Sequence, residues 1–424
     1  MPVRSGKRVL ITFGRSFLSL DLARLMGAAG HEVLIADSVP LPITRFSNAV
    51  SKTFRIPRPK YEPLAWAQAV ARIAREEKVD LVVPIHEETD ILAQAVKQDP
   101  TLFPEDCRLF FSDFDLEARL HNKYECQVAL EALGTPTLKF ALVRNRADLE
   151  ALDFDEPFAL KRVYSRGSQE IYKVHPGRLP QNLTFDPDNP WLAQEWAKGA
   201  NYCSYSICHN GQVKAHTVYP VRYAIDGTSC LDYEAVEHEG IAEWVREQVK
   251  AFNFTGQIGF DFIDVPGRGL FTVDCNPRST SGILLFDPET RVDRAFFGEN
   301  SEVITPLPGA RKMLGPGMLM YGWRKSSLEG NTFRGFLRDY RRTEEVIFRG
   351  DDPKPGLAIP LALGNILAEA VRYRVGIPEA FMVILSVICT EVAMQIVCCT
   401  GHLLYDTCVH QDRLASRERE IMSA

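Results

Sequence analysis

Apolar residues in the first third of the chain come in short runs separated by longer stretches with helical spacing. The run KRVLITF (Lys7 to Phe13) predicts a strand, Gly14 to Ala29 a helix, and EVLIAD after the Gly30-His31 break a second strand. A helix from Pro63 to Glu77 and a strand over VDLVVPI (Val79 to Ile85) repeat the rhythm. Such alternation predicts an open α/β sheet. Its third strand runs into His86-Glu87-Glu88, at the carboxyl edge where open α/β sheets bind ligands. The alternative for these residues is carboxylates placed at a helix N-terminus. Only Gly14 sits where a G-x-G-x-x-G turn needs three glycines, so a nicotinamide cofactor is rejected.

A second unit starts near Asp115. LEARLHNKYECQVALEALG carries apolar positions at helical spacing and stops at Gly134 with Pro136 beyond, which predicts one helix. Asp155 to Val174 reads as a strand, a polar turn around Gly167, and another strand; Trp191 to Gly199 is an apolar run ending in a turn. Asn201 to Val221 reads as a hairpin around Asn210-Gly211. Ile241 to Phe252 predicts a helix, and Gly256 to Val265 with Gly269 to Gly282 a strand pair turning at Pro266-Gly267-Arg268-Gly269.

Past Pro306 the character shifts. Residues 320 to 355 are rich in arginine and turns, and Pro355 to Arg374 is helical or mixed. Ala380 to Cys399 is apolar except for Ser386, Thr390, Glu391 and Gln395. That is near the length needed to span hydrocarbon. A central Glu391 would cost about 2.5 to 3.5 kcal/mol there. A buried or oligomer-forming helix is therefore the preferred reading, with membrane contact or a mispredicted chain end as alternatives.

Composition narrows the function classes. The 424 residues contain 46% hydrophobic and 25% charged residues, as a globular protein does. A net charge of −6 offers no footprint for nucleic acid. Ten cysteines without a Cys-x-x-Cys pair, and no His-Glu-x-x-His, indicate neither a disulfide framework nor a zinc site. The first residues turn polar too quickly for a secretory signal, so a cytoplasmic protein is expected.

The sharpest chemical signal is the strand pair near residue 265. Asp274 and Asn276, two apart on one strand, project on the same face, and Asp261 lies on the other arm near the same end. Three hard oxygen donors suit Mg²⁺, which takes its other oxygens from phosphate and water. Arg278 adds a planar cation beside them, fit for a carboxylate or phosphate oxygen. Lys161 lies inside an apolar strand run, where an unpaired charge is expensive and a phosphate partner would relieve it.

The order of these residues resembles the ATP-grasp superfamily. A helix lysine (Lys123) is followed by a strand lysine (Lys161) and a small-residue turn (Ser165-Arg166-Gly167-Ser168). Gln194-Glu195 then ends a strand, and the Asp…Asp-x-Asn hairpin closes the series. The resemblance covers roughly residues 8 to 300 and implies an N-terminal open α/β domain of the Rossmann-like, pre-ATP-grasp kind (1–114). An α+β ATP-grasp fold of two subdomains (115–305) follows, with a C-terminal extension (306–424) holding an apolar helix at 380–399. It implies ATP and Mg²⁺ as cofactors, with Mn²⁺ as a substitute metal. Lys123 and Lys161 match the lysines on the ATP phosphates, and Ser165 to Gln169, including Gly167 and Ser168, match the loop that covers them. Gln194, Glu195, Trp196 and Ala197 match the adenine-reading segment; Asp261, Asp274 and Asn276 match the metal ligands; Arg278 matches the arginine that steadies an acyl phosphate. The sequence departs from the family where a glutamate for the ribose is usual: Gly199 leads into Ala200-Asn201, leaving Asn201 for that contact.

Thr44 to Pro59 and the stretch from Thr255 to Phe286 are also similar to ligases that join glycine to a cyclohexenone in mycosporine biosynthesis. The implied reaction activates a carboxylate as an acyl phosphate and joins it to an amine, so the partners expected are small-molecule acids and amines, with a homo-oligomer as an option. An ATP-grasp kinase, a ligase with a thiol acceptor, and a nucleotide-binding protein without turnover are the alternatives.

Overall fold

In the computed structural model, residues 6–165, 171–225, 229–324 and 332–373 are described. Gly167, Ser168 and the apolar stretch 380–399 lie outside them. Five strands open the chain: Arg8–Thr12 (β1), Glu32–Asp37 (β2), Val50–Arg55 (β3), Leu81–Val83 (β4) and Arg108–Leu109 (β5). They form one parallel sheet in the order β3-β2-β1-β4-β5. Helices Phe17–Ala28 (α1), Pro63–Glu76 (α2) and Glu88–Gln98 (α3) connect it. β1 is buried along its whole length, which is why its sequence is a continuous apolar run rather than an alternation. The expected helix from Gly14 starts at Phe17, because the Ser16 hydroxyl accepts from Leu18 N and caps it there. β3 went unread: it is a half-exposed edge strand with no apolar periodicity.

The single helix expected from Leu116 to Gly134 is two helices, Phe114–His121 (α4) and Lys123–Ala132 (α5). Asn122 is the break. Its backbone is extended (φ −73°, ψ 110°), and its side chain accepts from Tyr124 N and Glu125 N. An asparagine that offers the backbone these bonds ends one helix and starts the next. The consequence is functional, since Lys123 becomes the first residue of a helix.

Four antiparallel strands follow, Phe140–Val143 (β6), Phe158–Arg162 (β7), Ile171–Val174 (β8) and Trp191–Glu195 (β9), in the order β6-β9-β7-β8. Ala200–His209 (β10) and Gln212–Pro220 (β11) form the hairpin expected at Asn210-Gly211. Both turn residues have positive φ (46° and 74°), as this turn requires. Arg222–Ile225 (β12) and Ser229–Glu234 (β13) lead to helix Glu239–Phe252 and then to Gly256–Val265 (β14) and Gly269–Asn276 (β15). Strands β11-β10-β14-β15 make one antiparallel sheet. Ile241, Val245 and Val249 of the helix pack with Phe260 and Phe262 in its core.

The last two strands, Arg311–Met313 (β16) and Glu344–Glu345 (β17), complete a small sheet in the order β12-β13-β16-β17. The chain then returns to the N-terminal sheet. Asp352 accepts from Arg24 Nε (2.9 Å), Ser47 Oγ (2.6 Å) and Asn48 N (2.9 Å). Helix Ile359–Tyr373 matches the helical reading there. Among the described residues no helix is long and apolar enough to cross a membrane.

Candidate functional site

β14 and β15 set the geometry. Asp261 lies directly opposite Asp274, and Gly259 opposite Asn276. Between those pairs and the turn the register slips, because Thr272, not Val273, faces Phe262. Val273 is thus an extra, bulged residue, which leaves its carbonyl outside the ladder. That carbonyl accepts from Lys161 Nζ at 2.7 Å, and Gln194 Oε1 accepts from the same ammonium at 3.0 Å. Gly259 is required by crowding: a Cβ there would sit 2.7 Å from Thr280 Cγ2 and 2.9 Å from Ser204 O.

The charges are tightly balanced. Two carboxylates facing each other across a ladder repel. Burial, reinforced by the facing Asp274, pushes the Asp261 carboxyl up to about 6. Lys123 Nζ lies 3.3 Å from Asp274 Oδ2 and donates to Ser165 O at 3.1 Å. Burial pulls the Lys161 ammonium down to about 8, against the opposing pull of Asp274. The Cys203 thiol, across from Asp261 on β10, donates to that carboxylate.

Arg278 joins this cluster to the N-terminal sheet. Its Nη2 donates to Asn276 Oδ1 at 2.8 Å, and its Nε lies 2.8 Å from Glu87 Oε1. Glu87 and Glu88 follow β4 and are buried at the start of α3, the helix N-terminus that the sequence offered as the alternative. Glu88 Oε1 accepts from Thr12 Oγ1 at 2.7 Å and serves the fold, whereas Glu87 reaches the site. Phe110, Phe111, Glu117 and Gln257 line the surface beside Arg278.

The adenine segment is more occupied than its sequence implied. The Glu195 N–H donates to Lys139 O (2.8 Å) and the Trp196 N–H to Pro157 O (3.0 Å). The Glu195 carboxylate pairs with Arg268 at the hairpin turn, which holds it below the usual carboxylate range. The main-chain N–H groups of Glu195 and Trp196 are therefore already bonded within the protein. The Gln194 Nε2 group is buried without a hydrogen-bond partner among the described residues. Asn201 is exposed, and its carbonyl accepts from Val221 N at 3.0 Å. Trp196 lies under Lys173, 4.6 Å from its ring centroid, and Ala197 packs with Leu138 and Ile263.

The structure thus brings Lys123, Lys161, Gln194, Asp261, Asp274, Asn276 and Arg278 into one linked set and leaves Trp196, Ala197 and Asn201 outside those contacts. Sequence reasoning missed Asn122 and Cys203. The first carried a signal, since asparagine before a helical run is a cap. The second carried none, because its role depends on strand pairing.

Residues 120–282 match the family model of the ATP-grasp domain. No curated protein matches the sequence. Among solved structures, N5-carboxyaminoimidazole synthetase from Staphylococcus aureus, complexed with ADP, is similar at a TM-score of 0.58 and 14% identity, over 74% of this chain and 84% of that one. The L-amino acid ligase from Bacillus licheniformis gives 0.51 and 15%, over 72% and 78%. The biotin carboxylase domain of the Hydrogenobacter thermophilus 2-oxoglutarate carboxylase, in complex with MgADP and bicarbonate, gives 0.53 and 13%, over 70% and 71%. At these identities the likeness is one of fold. Residues 120–282 thus match an ATP-grasp domain, and the fold around them is that of the ATP-grasp structures to which the chain is similar.

Proposed function

We propose that the protein is an ATP-dependent ligase that activates a carboxylic acid as an acyl phosphate and joins it to an amine, releasing ADP and phosphate. The observation that carries this reading is the cross-strand pair Asp261–Asp274, with Asn276 at the same end and Lys123, Lys161 and Arg278 around it. The donor set fits Mg-ATP. Two carboxylates and a carboxamide oxygen suit a hard cation that keeps phosphate and water oxygens, and the Gln194 amide nitrogen offers a buried donor. Bound Mg²⁺, or Mn²⁺ in its place, would neutralise phosphate charge as it develops.

The chain's own residues supply alignment. Lys123 and Lys161 hold phosphate oxygens, and neither needs a long reach, since one starts a helix and the other is fixed to Val273 O. A carboxylate oxygen of the acid bonds to the γ-phosphorus as the bond to ADP breaks. The amine nitrogen then bonds to the acyl carbon, phosphate leaves, and the nitrogen gives up a proton. Arg278, held by Glu87 and Asn276, faces the charge on the acyl phosphate. No side-chain nucleophile is required.

The similar structures, which include an amino acid ligase and two proteins bound to ADP, support this class. The finer reading is a carboxylate–amine ligase of the mycosporine type, resting on Thr44 to Pro59 and Thr255 to Phe286. We assign residues 1–114, 115–305 and 306–424 to the pre-ATP-grasp α/β domain, the ATP-grasp domain and the C-terminal extension. The test is ADP release with pools of acids and amines, followed by mass analysis of the product. ADP with free phosphate and a condensed product supports the ligase; ADP with a phosphorylated substrate identifies a kinase; nucleotide binding without ADP release contradicts both.

A further inference from the structure

The chain presents a basic, apolar face far in sequence from the nucleotide residues. Leu319, Met320 and Trp323 lie on one turn, and Phe333 and Leu337 on helix Phe333–Arg342; they are 57%, 55%, 50%, 55% and 38% exposed. The two elements are joined beneath. Met318, Phe336 and Tyr223 share a small core, and the Gly322 backbone packs so close that a Cβ would sit 3.0 Å from Phe336 Cε2. The exposed side chains therefore flank one seam. Trp323 is also fixed in orientation, its Nε1 donating to Leu319 O at 2.8 Å.

Charge decides what covers this face. Arg324, Arg334, Arg338, Arg341 and Arg342 are exposed around it. The helix FRGFLRDYRR has one acid, Asp339, which is buried and already bonded by Arg222 Nη2 (3.0 Å) and the Tyr223 hydroxyl (2.8 Å). The face is thus strongly positive on a protein whose net charge is −6. A second copy docking through the same face would set arginine against arginine. Aliphatic, aromatic and arginine side chains on short amphipathic elements instead match the boundary of an anionic lipid layer. There apolar tips enter the acyl region while guanidinium groups stay at headgroup level. We propose that residues 319–323 and helix Phe333–Arg342 form a peripheral docking surface for an anionic membrane.

The full chain would be floated with phosphatidylcholine vesicles and with vesicles that also contain phosphatidylserine. Two variant sets are compared: Arg334→Gln with Arg341→Gln and Arg342→Gln, and Trp323→Ser with Phe333→Ser. Both leave Met318 and Phe336 in place. The wild type should partition to the phosphatidylserine vesicles, less so at high salt, and the triple arginine set should lose about a hundredfold. The aromatic set should lose binding without changing the salt dependence. No vesicle binding by the wild type overturns the proposal, as does undiminished, wild-type binding by both variant sets, which would hand the contact to another segment such as 380–399. A self-association abolished by the variants, without vesicle binding, also overturns it.

Discussion

Lys161 on β7 donates to the main-chain carbonyl of Val273, the bulged residue of β15, at 2.7 Å. Lys161 is 5% exposed, and among the described residues no carboxylate hydrogen-bonds to its ammonium. Burial lowers its pKa from 10.5 to about 8, so between those values the unfolded chain holds a proton that the folded chain lacks. Stability without nucleotide therefore rises with pH across that window and is lowest when the ammonium is fully charged. Lys161→Met should remove that slope. At pH 7 it should gain up to about 3 kcal/mol, offset by the two lost hydrogen bonds, while ATP affinity falls at least about tenfold. Urea unfolding from pH 7 to 10 and nucleotide titration check both; a clear loss of stability at pH 7 would identify a structural ion pair instead.

Asn122 caps α5 and so fixes where Lys123 starts. Asn122→Ala should cost about 1 kcal/mol of stability. It should also weaken ATP binding through the loosened lysine. Unchanged ATP affinity in a destabilised variant would detach Lys123 from the phosphates.

Arg278 is held by the Asn276 carboxamide and by Glu87 from the other sheet. Arg278→Lys keeps the charge but loses the planar fork, and should lower kcat by about a hundredfold. Glu87→Gln should raise KM for the acid while leaving KM for ATP near the wild-type value. Steady-state kinetics separates the two; a Glu87→Gln effect confined to ATP would contradict Arg278 as the acid-side group.

Much of this was legible in the chain. Strands β1, β2 and β4, the Asn210-Gly211 hairpin and the Asp261–Asn276 hairpin follow from local apolar runs and turn residues. The split at Asn122 was hidden because apolar spacing continues across it, and one capping side chain overrides the period. The Val273 bulge was hidden for another reason: it exists only in the register between two strands. The contact of Glu87 with Arg278 spans 191 positions and comes from tertiary packing alone. The small sheet β12-β13-β16-β17 went unread because its strands are short and its ion pairs, such as Arg311 with Asp232 at 3.1 Å, look like surface charge in sequence.

Every residue proposed to touch phosphate or metal precedes Ser279. Truncation after Pro378 should therefore leave ADP release intact while changing solubility or oligomeric state, because the apolar run from Phe381 to Leu385 is removed. Activity assays with light scattering check this. A folded, ATP-bound truncation that cannot turn over would give the extension a part in the chemistry.

The central claim is that Asp261 and Asp274, facing each other across the hairpin, hold the metal on which ATP turnover depends. The most direct measurement is ADP release against Mg²⁺ concentration for the wild type and Asp274→Ala, with urea unfolding run in parallel. The account predicts turnover lower by about a thousandfold or more in the variant, a lost Mg²⁺ dependence, and an unfolding midpoint close to the wild type. Wild-type ADP release with an unchanged Mg²⁺ response in Asp274→Ala would contradict it.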